Sequence, residues 1–384
     1  MIYKRGKRWR VIVYAGRDPV TGRKRQKSVT VATRAEAKQA EARLVTEVGA
    51  GQYRGTRSKT VAELIERWLE WRQSVRPISP TTVATYRGYL DRVILPALGR
   101  LPLGRLDAAT LDTFYAQLRK QGGKGGRPLA ASSVRQVHAI LSGALGRAVV
   151  WGWIGQNPAR LATPPSVEKA DVAPPAVEDA ARLLSIAQQE DAELGLFVRL
   201  AVVLGARRGE LCALRWSDVD FQRSEVLIAG GVVRVHGQPL LDKATKTHAK
   251  RRVAVGAGTL ELLRVHRLAQ AEDALACGTA LQADAYVFSH VPDGTAPIDP
   301  DGISHRFHRL AQRLGIVCRL HDLRHFMVTQ LVAGGVDWRT VSGRAGHADG
   351  HMTLGTYAHF QQAQDRHAAE FMDELLVAAG TDSR

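Results

Sequence analysis

The sequence predicts a multidomain α+β protein: a small N-terminal three-stranded sheet with one helix, a helical bundle, and a mixed, mainly helical third domain with a small antiparallel sheet. Three observations lead there. Apolar and basic residues alternate along the first segment, as in "RWRVIVYAG", the period of a half-buried strand. From Thr60 to about Ala159 apolar residues recur every three or four positions, the period of a helix that buries one face. Five prolines, Pro158, Pro164, Pro165, Pro174 and Pro175, then break the pattern and read as an extended linker. With 384 residues the chain is long enough for two or three domains with cores of their own. The expected boundaries are 1–57, 60–159, a linker at 160–177, and 178–384.

In the first segment, Trp9, Val11 and Val13 fall on one strand face and Arg8, Arg10 and Ile12 on the other. "GRDPVTG" carries turn residues and "RKRQKSVTV" follows as a second basic strand, so a hairpin is expected. "TRAE", Thr33 to Glu36, matches a capping box that opens a helix of about four turns. In the second segment Ser79 is the expected N-cap, with Pro80 at the first helical position and Val83, Tyr86, Leu90, Val93 and Ile94 turned inward. Further helices fit 61–73, 108–120 and 131–151. The loop "KQGGKGGRP" between the last two is glycine-rich and basic but lacks the pattern that cradles a nucleoside triphosphate. It reads as a joint that touches phosphates or as a joint alone. In the third segment helices fit 178–190 and 193–204, and "SEVLIAG", "GVVRVHG" and "KRRVAVG" are the expected strands.

Charge assigns the partner. Residues 1–57 hold 15 Lys and Arg against 4 Asp and Glu, or +11; residues 60–160 hold 14 against 6, or +8; Lys59 adds one; residues 161–384 hold 24 against 27, or −3. The sum is the chain's +17, and it lies in the front of the molecule, where it suits a polyanion. No amphipathic helix with a bulky apolar face accompanies the charge, so nucleic acid is favoured over a membrane surface. Arg8, Arg10, Arg23, Lys24, Arg25 and Lys27 on the first strands, Lys120, Lys124 and Arg127 in the glycine-rich loop, and Lys250 and Arg251 near the third domain's basic strand are the candidate contacts. No apolar run is long enough to span a membrane, and the N-terminus lacks the apolar stretch of a signal peptide. A soluble, cytoplasmic protein is therefore expected. Cys212, Cys277 and Cys318 form neither a zinc module nor a disulfide framework and read as buried free thiols.

Three places in the third domain concentrate chemistry. In "LGARRGELCALRWSDVD", Arg207 and Glu210 stand three apart at a helix start while Leu211 and Leu214 face inward; alone, such a pair reads as an exposed helix ion pair. Lys246 sits in a hairpin ahead of a basic strand and alone reads as a solvated surface group. "HDLRHFMV" puts His321, Arg324 and His325 on one helix face. Two His at that spacing could hold zinc, but the general-base Glu is missing and Arg324 would face a dication. No metal is therefore expected, and a phosphate fits: a guanidinium pairs two of its oxygens, and imidazoles donate or relay a proton. Among tyrosines of the third domain, Tyr286 in "AYVFSH" looks like part of a buried strand, whereas Tyr357, flanked by Gly355 and His359, is the better nucleophile.

Arg207 in G-x-R-x-x-E, Lys246 before a basic strand, His321 and Arg324 in H-x-L-R-H, His347 in G-H and Tyr357 in "TYAH" form an ordered set. It resembles the tyrosine site-specific recombinases, specifically phage or mobile-element integrases, across essentially the whole chain. Leu204, where the family often has Thr, and Ala345, where Leu is common, are small departures at positions that look like packing. The resemblance implies an arm-type DNA-binding domain, a core-binding domain and a catalytic domain, in that order. It implies that Tyr357 attacks a DNA phosphate to give a 3′-phosphotyrosyl bond and a free 5′-hydroxyl. His321 is then the general base, Lys246 the general acid, Arg207, Arg324 and His347 the ligands of the phosphate oxygens, and Glu210 the brace of an arginine. It implies no cofactor; double-stranded DNA with core and arm-type sites as substrate; a homotetramer on DNA, with a host bending or directionality factor as a further partner; and residence in the cytoplasm of a bacterial host. Phe371, Leu375 and Leu376 form an apolar stripe near the C-terminus that fits either a neighbouring protomer or the chain's own domain. A type IB topoisomerase shares these residues but does not need the arm-like first domain. A DNA-binding accessory protein explains the charge but not the ordered set.

Overall fold

The computed structural model describes residues 1–17, 24–49, 59–75, 77–167, 174–235, 237–244 and 250–346, and the chain divides into two compact units, Met1–Lys169 and Ala170–Arg384. In the first unit, β1 (Ile2–Arg5), β2 (Arg8–Arg17) and β3 (Lys24–Val31) form an antiparallel sheet in that order. The alternation read from the sequence sends Val11 and Val13 into a small core with Ala37, Ala40 and Leu44 of α1 (Arg34–Gly49). The expected capping box is formed: the Glu36 amide donates to Thr33 Oγ1 at 3.2 Å and the Thr33 amide to Glu36 Oε2 at 3.4 Å. Register separates the basic residues. Arg10 is paired with Tyr3 and Thr30 on the face away from α1, where its Nη2 donates to Ser28 Oγ. Lys27, expected among the DNA contacts, is opposite Val13 and so shares the face that carries the core. Arg8 and Lys24 are exposed, while Arg23 and the Arg25 side chain lie outside the described residues.

The bundle contains α2 (Val61–Ser74), α3 (Pro80–Tyr89), a π-helical turn Leu90–Ile94, α4 (Leu95–Leu98), α5 (Ala108–Gln121) and α6 (Ala131–Val150). Ser79 caps α3 with Pro80 at its first position, as the sequence predicts. The π turn has a local cause: Pro96 has no N–H to give the carbonyl of Arg92, and just before it the Leu95 amide bonds Leu90 O instead. Val61, Leu64, Ile65, Trp68 and Leu69 of α2 pack with Leu111, Phe114 and Leu118 of α5 and Val134, Val137, Leu141 and Leu145 of α6. Packing continues to Ala162, with Asn157 Nδ2 donating to Ser142 O at 2.9 Å. Lys120, Lys124 and Arg127 are exposed around the glycine-rich loop, where Gly125 and Gly126 take φ of 67° and 73°.

The second unit runs α7 (Val177–Glu190), α8 (Ala192–Leu204), α9 (Arg208–Cys212), β4 (Val219–Asp220), β5 (Glu225–Ile228), β6 (Gly230–Val233), β7 (Leu241–Ala244), β8 (Arg251–Ala254), α10 (Ala257–Ala276), α11 (Pro300–Arg313), α12 (Asp322–Ala333) and α13 (Trp338–Ala345). Its antiparallel sheets are β4-β5-β8 and β6-β7. Two expectations are corrected. Tyr286 is buried, but its segment is no strand: it makes a lone bridge to Arg215, because the chain beyond Arg215 coils at once into a 3-10 turn and offers no extended partner. Cys277 is exposed past the end of α10, whereas Cys212 and Cys318 are buried. Leu204 and Ala345 are fully buried, in keeping with a packing role. Among the described residues no helix is long and apolar enough to cross a membrane.

Candidate active site

The site of the second unit is built around the end of α8. That helix is buried along most of its length and stops at Gly205, which takes φ 55°. A Cβ there would stand 1.9 Å from Met327 Cε, so glycine serves both the left-handed turn and the close approach of α12. The last carbonyls of α8 are taken by arginines more than a hundred residues away in sequence. Arg324 Nη1 donates to Gly205 O at 2.5 Å, and Arg344 Nη2 to Val203 O at 2.9 Å. Cations at a helix C-terminus are favoured by its dipole, so burying Arg324, at 3% exposure, is consistent with the local electrostatics.

Beyond the turn, Arg207 is the N-cap of α9. Its amide donates to Glu210 Oε2 at 2.9 Å and its Nη1 to Glu210 Oε1 at 2.9 Å. Gly209 lets α9 approach β6, since a Cβ would lie 2.5 Å from Val232 O. Glu210 is 6% exposed and also accepts from Arg251 Nη2 at 2.7 Å. Burial pushes its carboxyl up, but the hydrogen bond and charge of Arg251, and then the bonds from Arg207, outweigh that and hold it below its ordinary value. The pair read in isolation as a surface ion pair is thus an ionised, buried brace. Arg251, expected as a DNA contact, has a side chain only 10% exposed and donates through Nε to Arg344 O at 2.8 Å. Neighbouring Lys250 is exposed.

His321 immediately precedes α12, and its ring meets that of His325 edge-on at 5.1 Å. Partial burial, then the charges of His325 and Arg324, hold His321 below its ordinary value. His325 is held down by burial, with Arg324 and Arg319 adding and Asp322 opposing. Asp322 is itself engaged by Arg319 at 2.8 Å. The fixed positive charge of "HDLRH" therefore sits on Arg324, and the two imidazoles favour their neutral form. Arg207 and His321 line one cavity of about 530 Å³ together with Arg208, His305 and His308.

The structure thus gathers Arg207, Glu210, His321 and Arg324 and adds two residues that sequence reading did not place in the site, Arg251 and Arg344. Their only signal was a basic residue at a strand start and in a helix's last turn, which occurs on many surfaces. Arg207 and Arg251 share the buried carboxylate of Glu210, while Arg324 and Arg344 are held by backbone carbonyls; positive charge thus exceeds negative, so an anion rich in acceptor oxygens is favoured there. Lys246, His347 and Tyr357 lie outside the described residues, as does the apolar stripe of Phe371, Leu375 and Leu376. Lys246 falls in the connection between β7 and β8. Gly346, directly ahead of His347, accepts from Arg207 Nη2 at 3.3 Å. Among the described residues no three His, Cys, Asp or Glu side chains gather as a metal site.

Comparison with known proteins matches three successive segments of the chain. Residues 176–364 match the phage integrase family, residues 1–48 an arm DNA-binding domain, and residues 60–119 a phage integrase N-terminal SAM-like domain. The chain is 25% identical over 373 residues to the ICEBs1 integrase of Bacillus subtilis (strain 168), covering 96% of this chain and 97% of that protein. It is 24% identical over 396 residues to a tyrosine recombinase XerC-like protein of Caldanaerobacter subterraneus subsp. tengcongensis, covering 97% and 98%. Its fold is similar to that of lambda integrase in a tetramer bound to a Holliday junction, with a TM-score of 0.60 at 18% identity over 92% of this chain and 94% of that one.

Proposed function

We propose, from the premise that the chain belongs to the phage integrase family and is a DNA-cleaving and rejoining tyrosine recombinase, that its site-specific recombination proceeds through a covalent bond between Tyr357 and DNA. The observation that carries this reading is the buried Glu210 holding Arg207, which lines one cavity with His321, an imidazole held below its ordinary value by burial and nearby cations. A phenol of pKa about 10 is mostly protonated at neutral pH and needs a base and positive charge to attack. Tyr357 Oη attacks the scissile phosphorus as the bond to the 5′ oxygen breaks. Its proton goes to His321, and Lys246 protonates the departing 5′ oxygen. Arg207, Arg324 and His347 take the non-bridging oxygens, whose charge grows at the transition state. A 5′-hydroxyl of a second duplex reverses the attack and joins the strands in a new order.

In this reading residues 1–57 bind arm-type sites, 60–159 bind the core site, 160–177 link them to the catalytic domain at 178–384, and four copies gather around two duplexes, as lambda integrase does on a Holliday junction. Arg8, Arg10 and Lys24 on the sheet, and Lys120, Lys124, Arg127 and Lys250 elsewhere, are the phosphate contacts that it proposes. A DNA-bending or directionality factor belongs to the same proposal, with the cytoplasm of a bacterial host as the setting. The decisive experiment traps the protein on core-site DNA nicked near the cut, then maps the linked residue by peptide mass; linkage anywhere but Tyr357 ends the reading.

Two further results are expected. Deleting residues 1–57 weakens binding to sites that include arm sequences and flattens its salt dependence, because each phosphate contact contributes about 0.9 to the slope of log K on log salt. Cleavage of an isolated core site is spared, and an unchanged slope counts against arm binding. The second concerns pH. His321 must accept a proton, and its free-enzyme value lies below the usual 6.5 or so. Cleavage efficiency should therefore be level around neutrality and fall only as the pH drops through that depressed value. An acid limb centred well above about 6.5, or one that persists in His321→Asn, rules His321 out as the base.

A further inference from the structure

We propose that Arg251 is a positioning residue for strand cleavage, acting on Arg207 through Glu210 and, through the end of α13, on the segment that leads to His347. The inference rests on the active-site reading above. With its side chain 10% exposed, Arg251 is not available to phosphate through the Nε and Nη2 that it spends inside the protein. Its donors instead join two separate parts of the unit: Nη2 reaches Glu210 Oε2 at 2.7 Å and Nε reaches Arg344 O at 2.8 Å.

Glu210 divides its two oxygens. Oε1 takes Arg207 Nη1, and Oε2 takes both the Arg207 amide and Arg251 Nη2. Without Arg251, Oε2 keeps only the amide, and the carboxylate loses the strongest influence opposing its burial. Its hold on the Arg207 guanidinium then loosens. At the other end, Gly346 turns with φ 65°, and a Cβ on it would lie 2.8 Å from Arg251 Nη1. The glycine turn is thus closed down on the guanidinium, while Gly346 O accepts from Arg207 Nη2. Two arginines therefore hold the one turn from which the chain continues to His347. The geometry is reciprocal: as Arg251 bonds the carbonyl of Arg344, Arg344 Nη2 bonds the carbonyl of Ala254 at the end of β8. Arg251 also opens β8, immediately after the connection that carries Lys246. A planar fork with five donors can span these partners, whereas the three donors of a lysine radiate from one nitrogen and cannot.

The test uses the full chain and its Arg251→Lys, Glu210→Gln and doubly substituted forms. Single-turnover formation of the covalent complex is measured on nicked core-site DNA at saturating concentration, with DNA affinity measured across a salt series. The expected result is a rate lower by roughly 10- to 100-fold for Arg251→Lys, the usual range when a partner behind a functional group is lost, with affinity and salt slope close to wild type. The double variant falls no further than the slower single variant, because both break one chain of bonds. A salt slope smaller by about one with an unchanged saturated rate makes Arg251 a phosphate contact and overturns the proposal. So do additive losses, or a lowered unfolding midpoint with an unchanged rate below it. Arg251→Gln, which keeps a planar donor, replaces the lysine variant if that one does not fold. Wild-type protein that forms no adduct through Tyr357 refutes the active-site reading itself, a failure distinct from that of Arg251.

Discussion

Tyr357→Phe is expected to bind core-site DNA as the wild type does and to form no covalent complex with it. The substitution removes one oxygen and leaves the ring, so affinity and salt dependence should hold. In the proposed mechanism the lost oxygen is the atom that becomes esterified, and removing a nucleophile from a concerted set costs essentially the whole chemical step, on the order of a millionfold. The other tyrosine weighed for the role is badly placed to replace it. Tyr286 is 3% exposed, its hydroxyl accepts from Arg215 Nη2 at 2.7 Å, and burial followed by Asp242 pushes its phenol up. Trapping on nicked DNA and denaturing electrophoresis provide the measurement. A Tyr357→Phe protein that still migrates with DNA attached has another nucleophile.

Arg207→Lys is expected to slow covalent complex formation by roughly 10²- to 10³-fold, the range seen when one donor to a developing oxyanion is removed. Positive charge is kept, so affinity should change much less. What is lost is the fork: Arg207 gives Nη1 to Glu210 and Nη2 to Gly346 O while lining the cavity shared with His321. A lysine can satisfy the carboxylate or reach the phosphate, but one nitrogen does not present the same edge to both. Single-turnover rates at saturating DNA separate the cases. If the rate is preserved and only affinity falls, Arg207 tethers DNA and does not stabilise the transition state.

Much of the architecture is local and was legible for that reason. The capping box at Thr33, the Ser79-Pro80 helix start and the helical period between 60 and 159 depend on residues within a few positions of one another. Where expectation failed, the deciding partner was distant. The Tyr286 segment has strand-like alternation, yet it pairs at one residue because the chain beyond Arg215 coils away. Lys27 looked like its basic neighbours until register set it opposite Val13. The spacing of Arg207 and Glu210 showed a pair but not its burial, which depends on Arg251, 41 residues on.

By itself, the sequence determined the order of the sheet, bundle and mixed domain, the basic front, and the local pairing of Arg207 with Glu210 and of His321 with Arg324 on neighbouring turns, since periodicity, capping and charge are properties of neighbouring residues. Only the tertiary structure decided which arginines reach outward and which are turned in. Arg324, Arg344 and Arg251 close on the carbonyls of Gly205, Val203 and Arg344 across 93 to 141 residues of chain. A guanidinium in a buried setting must give its donors to whatever acceptors the fold brings near, and no local pattern names acceptors that lie so far along the chain.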